Sequence, residues 1–307
     1  MIHKPFKNYD EQIELLRSKG LIIEDPEFAR KFLTHLNYYR LSGYSLTLRK
    51  NDKFYPNVSF ENIMQIYHFD KELKSLLMRY LEDIEIALRS HIAYELGKLD
   101  SDENSEISYR RVENFASEAH FEQFSSDLIT AHKDARHEPF VKHHDRKYSG
   151  RLPVWAMVET LSFGSASRLF SSLSVPLQKQ ICDEYYSGMR YTIIENWLEG
   201  LVVLRNLCAH HARLFNRGIV YSPSFSSEDN NFFEEQGYER NQIGNKLFFR
   251  LIIVARLSPL PNIKEALIAD ISALSDKYPF VDLSHYGFLP NWVVILNKCG
   301  TLNTDVE

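Results

Sequence analysis

Apolar residues recur at helical spacing along most of the chain. Ile63, Ile66, Leu73, Leu77, Tyr80, Ile84 and Leu88 predict one long helix, capped by Ser59 and running to about Leu99. Two short helices are expected before it, over 9–19 and 25–36, the second opened by Asp25–Pro26. Residues 36–50 read as a turn through Gly43 into a short extended piece, and 51–59 as a turn-rich boundary. After the long helix, helices are expected over 111–134, 153–173, 176–187, 191–217, 241–257 and 262–276. Pro153 fits a first helical position, and Pro259 and Pro261 end the 241–257 segment. The stretches 100–108, 136–153 and 222–231 read as an acidic loop, a charged connector and a loop, and "YGFLPNWVVIL" closes the chain.

Strand signals are few and short, and no internal repeat or Gly-rich phosphate loop is found. The expected class is all-α, a helical bundle with a small N-terminal helical subdomain. The 307-residue length fits one main domain plus a smaller part, with 1–56 as the subdomain and 57–307 as the main body.

Composition narrows the function classes. With 44% hydrophobic and 25% charged residues, the chain is an ordinary globular one. Its net charge of −5 requires any nucleic-acid contact to be a local patch. Cys182, Cys208 and Cys299 are odd in number and form no CxxC pair, which argues against a disulfide framework or thiolate zinc site and fits a cytoplasmic setting. No apolar leader is visible at the N-terminus, and "LFFRLIIVARL", interrupted by Arg250 and Arg256, is too short to span a bilayer.

The densest chemistry lies in "LVVLRNLCAHHARLFNR", residues 201–217. On an ideal helix Leu201, Leu204, Cys208, His211, Ala212 and Phe215 make an apolar stripe with one histidine in it. Asn206, His210, Arg213 and Arg217 fall on the opposite face. Arginine offers planar, permanently charged donors for phosphate, and histidine moves protons near neutrality. Arg205 lies roughly 140° from His210 around such a helix. Either the helix breaks nearby, or another element or a second subunit completes the site. The bland reading of the same face is a solvated helix surface, with His211 a hydrogen-bonded, partly buried residue.

"RNLCAHHARLFNR" resembles the signature of the Abi-like abortive-infection proteins (the AbiD/AbiF group), which belong to the HEPN superfamily of helical nucleases. Arg205, Asn206 and His210 match the superfamily pattern of an arginine, a polar residue, a short spacer and a histidine. "LNYYRLSGY" (36–44), the long helix at 69–96, "LPVWAMVETLSFGSASRL" (152–169) and "GFLPNW" (287–292) resemble further family blocks in the family's order. The resemblance implies a HEPN-like bundle and a metal-independent endoribonuclease of phage defence, a toxin controlled by a small non-coding RNA. His210 would be the general acid or base, Arg205 the phosphate ligand and Asn206 an orienting group. His211, Arg213, Asn216 and Arg217, with Arg89, Arg40 and Tyr39, make up the expected RNA-contact set. No cofactor or metal is implied. Sites of this superfamily form where two domains face each other, so a homodimer is expected, with RNA as substrate and no membrane.

Other clusters have simpler readings. Glu85 and Arg89 have the i,i+4 spacing of a helix-surface ion pair; the alternative is that they line the cleft opposite the motif. Tyr38, Tyr39 and Tyr44 beside Arg40 can pack internally or stack on unpaired bases. His132, His137, His143 and His144, with Asp134, Glu138 and Asp145, are too irregularly spaced for a metal site and read as a charged loop. Gly164 is expected to permit close helix packing, and Glu159 to be a buried polar partner. The competing function class is a catalytically quiet HEPN protein that binds RNA or a partner protein.

Overall fold

The computed structural model describes residues 5–100, 107–239 and 243–299. The acidic run at 101–106 and the first residues of the helix expected from 241 lie outside the described residues.

The long helix is the mast of the molecule. It spans Phe60–Gly97 (α4), about 57 Å at the rise of an α-helix. Ser59 and Asn62 form a reciprocal capping box at its start. All seven residues of the expected stripe are buried, and so are Met64, Phe69, Leu81, Ile92 and Leu96 on neighbouring faces. A helix buried on several sides must be enclosed by others. The bundle therefore assembles around α4.

Among the described residues, three α-helices precede α4: α1 (Tyr9–Ser18), α2 (Pro26–His35, capped by Asp25) and α3 (Tyr38–Tyr44, capped by Asn37). Gly43 does not turn the chain. It sits within α3, where a Cβ would meet Nε of Arg213 at 3.2 Å, so its smallness admits a guanidinium. A two-residue hairpin, β1 (Arg49–Lys50) with β2 (Lys53–Phe54), turns at Asn51 and Asp52, both with positive φ.

After α4 come α5 (Glu118–Asp134), α6 (Pro139–Tyr148), α7 (Val154–Met157), α8 (Phe163–Ser172), α9 (Val175–Tyr185) and α10 (Tyr191–Ala209). The described residues continue through α11 (Ser227–Glu235), α12 (Leu247–Leu257), α13 (Ile263–Lys277) and α14 (Trp292–Cys299). The all-α expectation holds.

Several expected boundaries are corrected. The 136–153 connector contains α6, which opens on Pro139 at its first turn and buries Val141. The 222–231 loop contains the start of α11, set by a Ser226–Asp229 capping box. The 153–173 helix divides at Leu161, because Ser162 caps a new helix through the Ser165 N–H. The 111–134 helix begins only at Glu118, behind the Ser117 cap.

One hydrophobic core runs from Ile13 to Cys299 and takes in residues of every segment described. Among the described residues, Asp70, Lys74, Glu95, Asp229 and Arg250 are charged residues buried in the interior. Asp229 is held bidentately by Arg256 at 2.7 and 2.9 Å. Fully buried Arg250 donates to the carbonyls of Gly244, Lys246 and Tyr221, and desolvation lowers its pKa to about 10. Asp70, paired with Lys74, bears on the motif.

Candidate active site

The motif helix α10 buries Ile194, Trp197, Leu198, Leu201, Leu204 and Cys208. This stripe docks on α4 and α8. Arg205 meets Glu85 on α4, while Leu214 and Phe215 meet Asp70 fifteen residues earlier. The two helices therefore run antiparallel.

The helix stops at Ala209, not at 217 as its pattern suggests. His210 is the C-cap, and His211 follows at φ +55 in the left-handed region. The His211 N–H reaches the Cys208 carbonyl at 3.1 Å, and the Ala212 N–H reaches the Leu207 carbonyl at 2.9 Å. This is a Schellman ending, with histidine at the position glycine usually takes. What diverts the chain is tertiary. The N–H groups of Leu214 and Phe215 donate to the Asp70 carboxylate at 3.0 and 2.8 Å instead of continuing the helical ladder. Consequently the projected face of Asn206, His210, Arg213 and Arg217 does not form.

Histidine at a left-handed position carries a backbone cost of roughly 1–2 kcal/mol that glycine avoids, offset by glycine's larger folding entropy of roughly 0.5–1 kcal/mol. His211→Gly is therefore expected to be as stable as the parent, or more stable by about 1 kcal/mol, in urea denaturation. A clear loss of stability would mean that the imidazole itself holds the turn.

The turn after the motif is clamped by α3. Arg40 donates from Nη2 to the His211 carbonyl, and Arg213 donates from Nη1 to the Gly43 carbonyl at 2.6 Å. The Tyr44 ring stacks on Phe215 with centroids 6.3 Å apart. Tyr44 also donates to Asp70 at 2.9 Å, as do Lys74 at 2.5 Å and Tyr286 at 3.3 Å. Burial, and then the Asp70 charge, pushes the Tyr44 phenol well above its ordinary pKa, so it stays a donor.

Arg205 emerges one turn before the helix end. Its Nε lies 3.7 Å from Glu85, and its Nη1 is 3.5 Å from the Asn206 side-chain oxygen. Glu85 is largely buried and also accepts from Arg89. Arg89 in turn lies 3.7 Å from Glu159. Glu85 and Arg89 thus form the i,i+4 pair read from sequence, and the same carboxylate faces the motif arginine. Glu159 is a half-exposed partner rather than the buried one expected. Neither Arg89 nor Arg205 has an acceptor for its buried Nε–H among the described residues.

His210 is exposed, and its imidazole makes no hydrogen bond or ion pair among the described residues. Asn206, Asn216 and Arg217 are exposed as well, and Tyr39 is 85% exposed beside Arg40. Arg205 and His210 are not joined by any hydrogen bond within the chain's described residues. Arg40 and Arg213 are engaged with backbone carbonyls, whereas the exposed ring of Tyr39 remains open to solvent.

His91, which follows Arg89, is no second copy of the motif. It stacks on Tyr185 at 3.8 Å, and burial lowers its pKa to about 4 against the opposing pull of Glu95. In the histidine-rich stretch, His132 pairs with Asp145 at 2.9 Å. No group of three potential metal ligands gathers among the described residues.

The family model described as Abi-like protein matches residues 31–216, more than half of the chain. This chain belongs to the Abi-like protein family. The match opens within α2 and closes just past the motif turn. It therefore spans the clamp residues Arg40 and Gly43, the carboxylates Asp70 and Glu85, and the motif from Arg205 to Asn216. Membership associates this Abi-like chain with abortive infection, a form of phage defence. No curated protein and no solved structure gives a match. No helix among the described residues is long and apolar enough to cross a membrane.

Proposed function

We propose that this Abi-like protein is a metal-independent endoribonuclease of the HEPN type, acting in phage defence as a toxin restrained by a small non-coding RNA. The observation that carries the reading is the end of α10. There an exposed histidine with no internal partner follows Arg205 and Asn206 at the superfamily's spacing.

In this mechanism the ribose 2′-hydroxyl attacks the adjacent phosphorus, and the leaving 5′-oxygen departs with a proton. DNA lacks the nucleophile and is spared. His210 transfers a proton as general acid or base. Arg205 places its guanidinium against the phosphorane oxygens as negative charge accumulates. Glu85 fixes that guanidinium from the α4 side, and Asn206 orients the phosphate. The lack of a direct Arg205–His210 contact supports a composite site, with two copies of α10 facing each other and each phosphate held between them.

The test is cleavage of RNA by the purified full-length protein in EDTA. The expected products carry 2′,3′-cyclic phosphate and 5′-hydroxyl ends, the matching DNA stays intact, and light scattering gives a dimer. Intact RNA under these conditions, or 3′-hydroxyl products, would reject the mechanism. In the first case the quiet RNA-binding reading takes its place.

A further inference from the structure

One carboxylate faces two arginines beside the motif. The Glu85 side chain, on α4, is only 12% exposed, and a carboxylate withdrawn from water must be paired. Among the described residues, the cations within 4.0 Å of it are Arg89 and Arg205. They are not held alike. Arg89 stands one turn further along the same helix, with the acid on its N-terminal side, the favourable order for an i,i+4 pair. Its Nη2 donates to Oε1 of Glu85. Arg205 comes from α10, and its Nε stops 3.7 Å from Oε2. That is near enough for attraction and too far for a hydrogen bond.

The difference matters for phosphate binding. A guanidinium held by a carboxylate through two parallel bonds has its donors occupied and its charge offset, and it makes a poor phosphate ligand. Arg205 is not held in that way. Its other contact is also long, 3.5 Å from Nη1 to the Asn206 side-chain oxygen, and its side chain is 34% exposed.

We infer that Arg89 is a positioning residue, which keeps Glu85 engaged along α4 and so leaves the Arg205 guanidinium steered but unpaired for the RNA phosphate. Without the Arg89 cation, Glu85 turns to the cation that remains. Closing the gap takes less than about 1 Å, since charge-assisted N–H···O bonds form at about 2.7–2.9 Å. Half-exposed Glu159, 3.7 Å from Nη1 of Arg89, is too solvated to draw Arg89 away from Glu85. That Arg205 serves a phosphate rests on the ribonuclease reading; the competition for Glu85 does not.

The experiment compares the full-length parent with Arg89→Gln, Glu85→Gln and the double variant. The first readout is modification of Arg205 by phenylglyoxal, a guanidinium reagent, followed by peptide mass spectrometry. Arg205 should react more slowly in Arg89→Gln than in the parent, and as fast in the double variant as in Glu85→Gln. The second readout is the single-turnover cleavage rate on a defined RNA, with the urea midpoint recorded for each protein. Arg89→Gln should lose about tenfold or more. Arg89→Lys, which still pairs with Glu85, should keep most of the rate. The double variant should be no slower than Glu85→Gln alone, because no carboxylate is left to capture Arg205. A merely structural role for Arg89 would not give this non-additivity. The comparison of the double variant with Glu85→Gln stands even where Arg89→Gln unfolds. If the parent cleaves RNA, an Arg89→Gln rate equal to the parent's, or a double variant slower than Glu85→Gln, overturns the inference and leaves the ribonuclease reading intact. If the parent does not cleave RNA, the expected order of Arg205 reactivities upholds the competition for Glu85 and removes the ribonuclease reading alone. Equal reactivity of Arg205 in the parent and Arg89→Gln overturns the inference in either case.

Discussion

His210→Ala should cut the rate of RNA cleavage by about 10²–10⁴-fold while leaving the fold intact. Both halves follow from where the residue stands. The imidazole is exposed at the C-cap of α10 and makes no hydrogen bond or ion pair among the described residues, so its removal leaves no buried group unpaired. Surface changes of that kind shift stability by no more than about 0.5 kcal/mol. The cap itself is made by the backbone, through the His210 N–H to the Asn206 carbonyl at 2.9 Å, and alanine keeps that bond. The measurement is the single-turnover rate on a defined RNA, with the urea midpoint recorded for the same preparation. A parent-like rate would remove His210 from the chemistry. A rate loss accompanied by a lowered midpoint would assign the residue to structure.

Much of the scaffold was legible from the chain because its signals are local. The stripe from Ile63 to Leu88 predicts α4, and all seven of its positions are buried. Asp25–Pro26 marks α2 and Ser59 marks the mast. The Arg205–Asn206–His210 spacing draws attention to the exposed end of α10. Helical periodicity does not reveal α3, α6, α11 or α14, although three of them carry local start signals: Asn37 caps α3, Pro139 opens α6, and Ser226 with Asp229 makes a capping box for α11.

The shape of the motif turn was not legible, for a physical reason. Leucine, alanine and arginine around 201–217 favour helix, and no glycine marks an end. Only the Asp70 carboxylate, 144 residues from Leu214 in sequence, captures the next two N–H groups and stops the helix. Asp70 left one trace that periodicity could have caught. It stands on the same face as Ile63, Ile66, Leu73 and Leu77, and a carboxylate on an apolar stripe must have partners. The family resemblance places Arg40 in the RNA-contact set, and in the structure it donates to the His211 carbonyl. The contact pairs residues 171 apart and no local pattern encodes it.

Asp70→Asn should destabilise the protein by about 3–5 kcal/mol, the usual cost of removing one member of a buried charge pair. The carboxylate is fully buried and accepts from the Lys74 ammonium, the Tyr44 and Tyr286 hydroxyls and the Leu214 and Phe215 amides. An asparagine presents one oxygen and two N–H groups to five donors, so at least one donor faces another. It also leaves Lys74, only 6% exposed, without its counter-charge. The loss should appear as a lower urea midpoint with an unchanged slope. Because two of the five donors belong to the turn directly after His210 and His211, the effect should reach the site before the fold is lost. At temperatures where the variant is still folded, RNA cleavage should already be depressed, and amide exchange at Leu214 and Phe215 should be faster than in the parent. Asp270→Asn is the control: that half-exposed carboxylate joins α13 to Arg79 at 3.0 Å and Tyr80 at 2.6 Å and touches nothing in the motif turn. If Asp70→Asn cost no more than this control, the buried carboxylate would not be what ends the motif helix, and the placement of His210 would have to come from the α3 clamp alone.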